Sequence, residues 1–316
     1  MHSGRSSLSP LSLGSGTITD DDTSRADGEG TGITLANVPC VSRTHRPSTP
    51  PVALSIAGSD SGGGAGAQAD LKTFAAHRVH GATALTAITA QSTAAVRGVV
   101  VLEPDFVRLQ IETVLDDLSV RSVKTGMLAT RAIVDVVADL AAAGRLPQLV
   151  VDPVLVSSSG HPLMDPDGIE AYLTRLIPHA LVVTPNLREA AALTDSPLED
   201  LLSVPAMAAC AEHIRSHGAT YVVVKGGHLT DVAHDVVAGP EGVTVLEAAR
   251  IDTRNDHGTG CSLSAAIAAN LALGADGPTA ISRAKAFVAR GLAGGASWTL
   301  GAGHGPIDHF GWSASP

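Results

Sequence analysis

The chain has 316 residues, 44% of them hydrophobic and only 3% aromatic, and carries a net charge of −10. That is enough apolar material for a sizeable core built from Ala, Val, Leu and Ile, and the acidic balance excludes the basic surface that a nucleic-acid binder needs. Three scattered cysteines, Cys40, Cys210 and Cys261, with no Cys-x-x-Cys pair, exclude a disulfide framework or structural zinc site and point to a reducing, cytoplasmic setting. No segment reads as a membrane span once its charges and glycines are counted.

Residues 1–50 are rich in Ser, Thr, Gly and Asp and are expected to be a disordered extension. From Pro51 to Trp312 short apolar runs alternate with amphipathic stretches. Strands are expected at 52–57, 82–88, 122–125, 149–152, 180–183 and 221–225, with helices at 67–78, 132–143, 169–177, 187–193 and 205–216 between them. Pro104–Leu118 is expected to be a helix with Phe106, Leu109, Val114 and Leu118 on its apolar side. Residues 232–238 and 243–249 are expected to pair as a hairpin over a Gly-Pro-Glu-Gly turn, and helices at 260–273 and 279–297 close the chain. Strands apolar on both faces and alternating with helices predict one α/β domain, 51–312, with a mainly parallel sheet covered on both sides. Ligands of such sheets sit at the carboxyl ends of the strands.

The most informative stretch is Asn255-Asp256-His257-Gly258-Thr259-Gly260-Cys261, which runs into the Ala-rich segment Ser262–Ala269. Glycines admit an anion close to the backbone, and a helix start supplies free N–H groups and a positive dipole end. Cys261 in the first turn is expected to ionise easily and to serve as base or nucleophile. After the first strand, Gly58–Asp70 is a glycine-rich loop entering a helix. Gly62, Gly64 and Ala67 fit a loose dinucleotide fingerprint, but the strand ends too early and no acidic residue closes the next strand. A small-molecule pocket fits better, with Asp70 able to hydrogen-bond a ligand. Gln91 ends the second strand and offers both donor and acceptor to a pyrimidine or pyridine edge. Asp152 follows a buried strand and could hold Mg²⁺. Asn186 and Glu189 could reach a metal-bound water, or Asn186 could simply cap its helix. Lys225, at a strand end before two glycines, could neutralise phosphates.

In this order, the stretches Ala57–Phe74, Thr83–Thr93, Lys124–Leu128, Val150–Gly160, Thr184–Ala190, Val224–His228 and His257–Ala269 resemble the hydroxymethylpyrimidine/phosphomethylpyrimidine kinases of thiamine biosynthesis, which have the ribokinase-like three-layer α/β/α fold. The resemblance implies ATP-dependent phosphorylation of a small pyrimidine and then of its monophosphate. It implies that Gln91 recognises the pyrimidine, that Ala65, Met127 and Val154 line its pocket, and that Asp70 lies near the ring's polar edge. Gly258, Thr259 and Gly260 would form the anion hole and Cys261 would stand in for the general base. Lys225 would sit near the ATP phosphates, with Asp152, Asn186 and Glu189 organising Mg²⁺. A homodimer is also implied. The chain departs from the family pattern at Asp256, where Thr is common, and at Ala67, where a larger aliphatic is usual. A pyridoxal or pyridoxine kinase of the same fold, and a non-catalytic pyrimidine-binding module, are the competing readings.

Overall fold

The computed structural model describes residues 49–155, 164, 166–227 and 232–313. Most of the expected extension, residues 1–48, lies outside the described residues, as do His228, Val156 and the Ser-Ser-Ser-Gly segment that follows it. The apolar runs form strands β1 (Val52–Asp60), β2 (His80–Gln91), β3 (Val96–Val101), β4 (Val120–Thr125), β5 (Leu149–Val151), β6 (Val182–Val183), β7 (Tyr221–Gly226), β8 (Val232–Gly239) and β9 (Gly242–Ala249). They make one sheet in the order β3-β2-β1-β4-β5-β6-β7-β8-β9. The block from β2 to β7 is parallel, and β3, β8 and β9 add antiparallel edges. The chain winds outward from β1 in both directions, which opens a crevice at the carboxyl ends of β1 and β4.

The helices are α1 (Gly66–Ala76), α2 (Pro104–Asp117), α3 (Arg131–Ala142), α4 (Pro166–Ala171), α5 (Leu187–Leu193), α6 (Val204–Arg215), α7 (Thr259–Ala272) and α8 (Gly277–Gly295). Side chains alternate across the sheet. Leu54 and Ile56 of β1 join the core beneath α2, α3, α5 and α6, while Ala53 joins Phe74, α7 and α8 on the opposite face. This is the expected three-layer arrangement. Small residues on the α7 side let that helix, buried along Ser262–Ala272, lie against the sheet without aromatic bulk.

Several elements differ from expectation. β1 continues to Asp60, into the stretch read as loop. The segment Val96–Val101 forms an edge strand that no turn signal announced. In α2 the core-facing residues are Val107 and Ile111, whereas Phe106 and Leu109 are 52% and 56% exposed. The apolar residues of α2 wrap most of the helix, so periodicity alone did not select the inward face. The helix expected at 169–177 is α4 followed by one wide turn, Tyr172–Leu176, and one tight turn, Ile177–His179.

The C-terminal segment folds back over the site end of the sheet. Asn255 Nδ2 donates to the carbonyls of Gly295 and Trp298 at 2.8 and 2.9 Å, and the Thr93 carbonyl accepts from His304 N. Trp298 and Trp312 stack with ring centroids 6.1 Å apart, and Phe310 stacks on Trp312. His309 is buried with Nε2 2.9 Å from Ser262 Oγ in the first turn of α7. Burial, helped by the nearby Lys72 charge, pulls the His309 pKa down to about 4. The unfolded chain therefore takes up a proton near pH 6.5 that the folded chain refuses until about pH 4. Stability should fall as pH drops through that window, by up to roughly 3 kcal/mol. Denaturant titrations of His309→Gln between pH 7 and 4 are expected to show a flatter acid limb than the parent chain.

Candidate active site

α7 starts at Thr259, directly after Gly258, whose φ of +83° is a left-handed conformation that glycine adopts without strain. A Cβ on Gly258 would strike the carbonyl oxygen of Gly64, and one on Gly64 would strike the ring of His257. The two glycine-rich stretches are thus packed backbone to backbone. Gly258 has no side chain with which to cap α7, and among the described residues no side chain is bonded to the first-turn N–H groups, which leaves the positive end of the helix open to an anion. A Cβ on Gly260 would lie 3.2 Å from Lys225 Nζ, which places that ammonium over the same turn.

Lys225 Nζ is 2.9 Å from Asp152 Oδ1 and 3.8 Å from Glu189 Oε2. Burial disfavours the ammonium, but Asp152 and Glu189 outweigh it and hold Lys225 protonated. Asp152 also accepts from Thr184 Oγ1 at 3.1 Å and from Ser264 Oγ of α7 at 3.2 Å. Burial works against its charge, and Lys225 and Lys124 more than offset that, so Asp152 titrates below the ordinary carboxylate range. Burial pushes Glu189 up to about 7, against the pull of Lys225. Beneath this group Lys124 is fully buried in β4, with Nζ 2.9 Å from both Asp70 oxygens. Asp70 keeps the Lys124 ammonium charged despite burial, and that charge also bears on Cys261.

On the other side of the crevice, Asp60 ends β1 and accepts the N–H groups of Gly62, Gly64 and Ala65 at 2.8, 3.1 and 2.8 Å. His257 Nε2 lies 2.9 Å from Asp60 Oδ2, and the Gln91 amide lies 3.3 Å from the same nitrogen. Burial would raise the Asp60 pKa, but the hydrogen bonds from His257, Ala65 and Gly62 win and hold it low.

The expected residues are brought together unevenly. Gly258, Thr259, Gly260, Cys261, Lys225, Asp152 and Glu189 gather at the start of α7, with Ala65 and Gln91 across from them. Met127 follows β4, its terminal methyl under Gly58, and Val154 follows β5 with its N–H returned to the Asp152 carbonyl. Two expectations need correction, for Asp70 and Cys261, and of the two readings of Asn186 the structure shows the helix cap. Asp70 does not face a ligand: it is fully buried, and its oxygens are taken by Lys124 and Ser55. Asn186 acts as the cap of α5, its Oδ1 accepting from Glu189 N at 2.9 Å while Glu189 Oε2 accepts from Asn186 N at 2.7 Å. Cys261 is not easily ionised, because burial raises its thiol to about 11, above what the nearby Lys124 charge can undo.

Sequence reading assigned no role to Asp60, His257 or Lys124. Lys124 was detectable in principle: a lysine inside a run that reads as a buried strand requires a buried partner. Among the described residues no group of three or more His, Cys, Asp and Glu side chains stands ready to hold a metal. Asp152 and Glu189 nevertheless offer hard oxygen donors, and two carboxylates completed by water and phosphate suit Mg²⁺.

The family model described as phosphomethylpyrimidine kinase matches residues 60–308. The hydroxymethylpyrimidine/phosphomethylpyrimidine kinase of Rhizobium meliloti (strain 1021) is 48% identical over 261 residues, covering 82% of this chain and 97% of the relative. Among solved structures, the ADP complex of Bacillus subtilis pyridoxal kinase is 40% identical with a TM-score of 0.75, covering 83% of this chain and 98% of that one. Staphylococcus aureus pyridoxal kinase in complex with AMP-PCP and pyridoxal is 36% identical with a TM-score of 0.76, covering 84% and 95%. With a match that takes in both glycine-rich stretches and every strand end around them, the chain belongs to the phosphomethylpyrimidine kinase family.

Proposed function

We propose that this kinase moves the terminal phosphoryl group of ATP to the hydroxyl of 4-amino-5-hydroxymethyl-2-methylpyrimidine, and then a second one to the resulting monophosphate, in thiamine biosynthesis. The observation that carries this reading is the open first turn of α7, with Lys225 above it, Cys261 in it, and Gln91 across the interlocked glycine loops. The relative's name supports the pyrimidine as substrate, and the AMP-PCP complex of the structural neighbour supports ATP as donor. The pyridoxal kinases among the neighbours keep a pyridine substrate as the second reading.

Phosphoryl transfer demands positioning and charge neutralisation more than covalent chemistry. The N–H groups of Gly258–Cys261 would receive the transferring group, and Lys225 would face the charge developing beside it. Asp152 and Glu189 would hold Mg²⁺, which supplies further neutralisation of the phosphates. Asn186 contributes by fixing Glu189 through the helix cap. Asp70 holds Lys124 in place below Cys261, and the Lys124 charge lowers the cost of the thiolate form. The thiolate is the minor form at neutral pH, so the role of Cys261 as proton acceptor strengthens as pH rises. That role needs a free thiol, in keeping with a reducing compartment such as the cytoplasm. Among the described residues no helix is long and apolar enough to cross a membrane.

A second copy of the chain is proposed to cover the β3 edge. Val99, Val100 and Val101 are 39%, 64% and 42% exposed, and Ile88, which pairs with Val100, is exposed as well. An apolar, unblocked edge strand of this kind invites a partner.

An ADP-release assay with Mg-ATP, with products identified by mass, should show turnover of the hydroxymethylpyrimidine and its monophosphate ahead of pyridoxal; preference for pyridoxal would transfer the protein to the second reading. Cys261→Ala should lower kcat by about 10²-fold or more while the KM for ATP stays within about threefold, and the gap to the parent enzyme should widen from pH 6 to 9. Unchanged turnover would remove Cys261 from the chemistry. Val100→Lys should shift the protein to a smaller species in sedimentation velocity; an unaltered sedimentation coefficient would show that β3 is not the interface.

A further inference from the structure

The hydrogen-bond partners of His257 leave little freedom in where its proton sits. Asp60 is an acceptor only, and it already collects three backbone N–H groups. Its remaining close partner, His257 Nε2 at 2.9 Å, must therefore donate. The Gln91 amide lies 3.3 Å from the same Nε2, with its nitrogen placed on that side. The other end of that amide lies 3.4 Å from Thr89 Oγ1, whose single hydrogen is spent on the Ser59 carbonyl at 2.8 Å. The oxygen and nitrogen of an amide exchange places by a half-turn, and the surrounding partners decide between the two states. The half-turn that sets oxygen toward His257 and NH₂ toward Thr89 makes each of these two contacts a donor facing an acceptor. With the reverse, two donors face each other at His257 and two acceptors at Thr89. The Gln91 backbone is held as well, through mutual hydrogen bonds with Ser61 at 2.7 and 2.8 Å.

We propose that His257 is a positioning residue for the pyrimidine: its Nε2–H sets which way the Gln91 amide stands and, through Asp60, ties that amide to the glycine loop and to the start of α7. The inference rests on the reading of Gln91 as the side chain that meets the substrate ring. An amide locked in this sense presents one N–H and one carbonyl lone pair side by side. That is the complement of an aminopyrimidine edge, which offers a ring-nitrogen acceptor beside an amino donor. Because His257 is bonded directly to Gly258, the ring reader and the anion cradle are held by one residue.

The test is a double-mutant cycle on binding, without nucleotide. Titration calorimetry with hydroxymethylpyrimidine is run on the parent chain, Gln91→Ala, His257→Ala and the double variant. A substitution that acts only on the general fold would weaken binding equally in both backgrounds. The expected result is about tenfold weaker binding for each single variant, and no further loss when His257→Ala is added to Gln91→Ala. His257→Gln, whose amide can still donate to Asp60, should bind within about threefold of the parent. Additive losses near 100-fold, or an unaffected His257→Ala beside a weakened Gln91→Ala, would overturn the positioning role. If Gln91→Ala itself binds normally, the reading of Gln91 fails and the proposal falls with it, an outcome separate from the other two. Should His257→Ala not fold, His257→Phe, which fills the volume but cannot donate, completes the same cycle with the same outcomes.

Discussion

The site depends on one contact that leaves no room for a side chain: the backbone at Gly258 against the carbonyl of Gly64. Around it the starts of α1 and α7 converge, one following β1 and the other following the long excursion through β9. A close backbone approach is rigid because nothing flexible lies within it, and it brings the N-termini of α1 and α7 together. Asp60 stiffens the first loop from within by gathering three of its N–H groups. The rest of the fold serves to deliver these two stretches to the same crevice between β1 and β4.

Charge in this crevice is arranged against the cost of burial. Lys124 is fully withdrawn from water and Lys225 largely so, and each is kept charged by carboxylates placed within hydrogen-bond reach. Removing one partner from such a pair leaves an uncompensated buried charge, which is far more costly than the pair is stabilising. The arrangement thus holds both ammonium groups in fixed places at the crevice, with little reorganisation left for an incoming anion to drive. The cysteine sits in the same field yet stays a thiol, because desolvation acts on it more strongly than the nearby Lys124 charge.

Local features were legible in the sequence. The glycine-to-alanine transition at Gly258–Ala269 specifies a turn and a helix from adjacent residues alone, and the parallel sheet follows from apolar runs separated by helical periods. What escaped notice is non-local or ambiguous in period. The Asp70–Lys124 pair joins residues 54 apart, so Asp70 looked like a ligand-facing carboxylate. Asn186 satisfies two descriptions at once, a metal-side polar group and a helix cap, and only the mutual bonds with Glu189 decide between them. The Val-Arg-Gly-Val-Val-Val run of β3 lacks turn residues that would separate it from α2, and α2 carries apolar residues on more than one face. His257 passed as one of 13 histidines because its partners, Asp60 and Gln91, are 197 and 166 residues away.

The scarcity of aromatic residues has an optical consequence. Both tryptophans of the chain, Trp298 and Trp312, lie in the C-terminal segment and stack on each other at its surface. That segment is bonded to Asn255, just ahead of the α7 start, and to Thr93, just past Gln91. Indole emission from this molecule therefore comes from a single place, the outer margin of the crevice, and the sheet and helices beneath it contribute none. Any rearrangement of the two loops that meet there is carried directly to the only intrinsic fluorophores of this class in the chain.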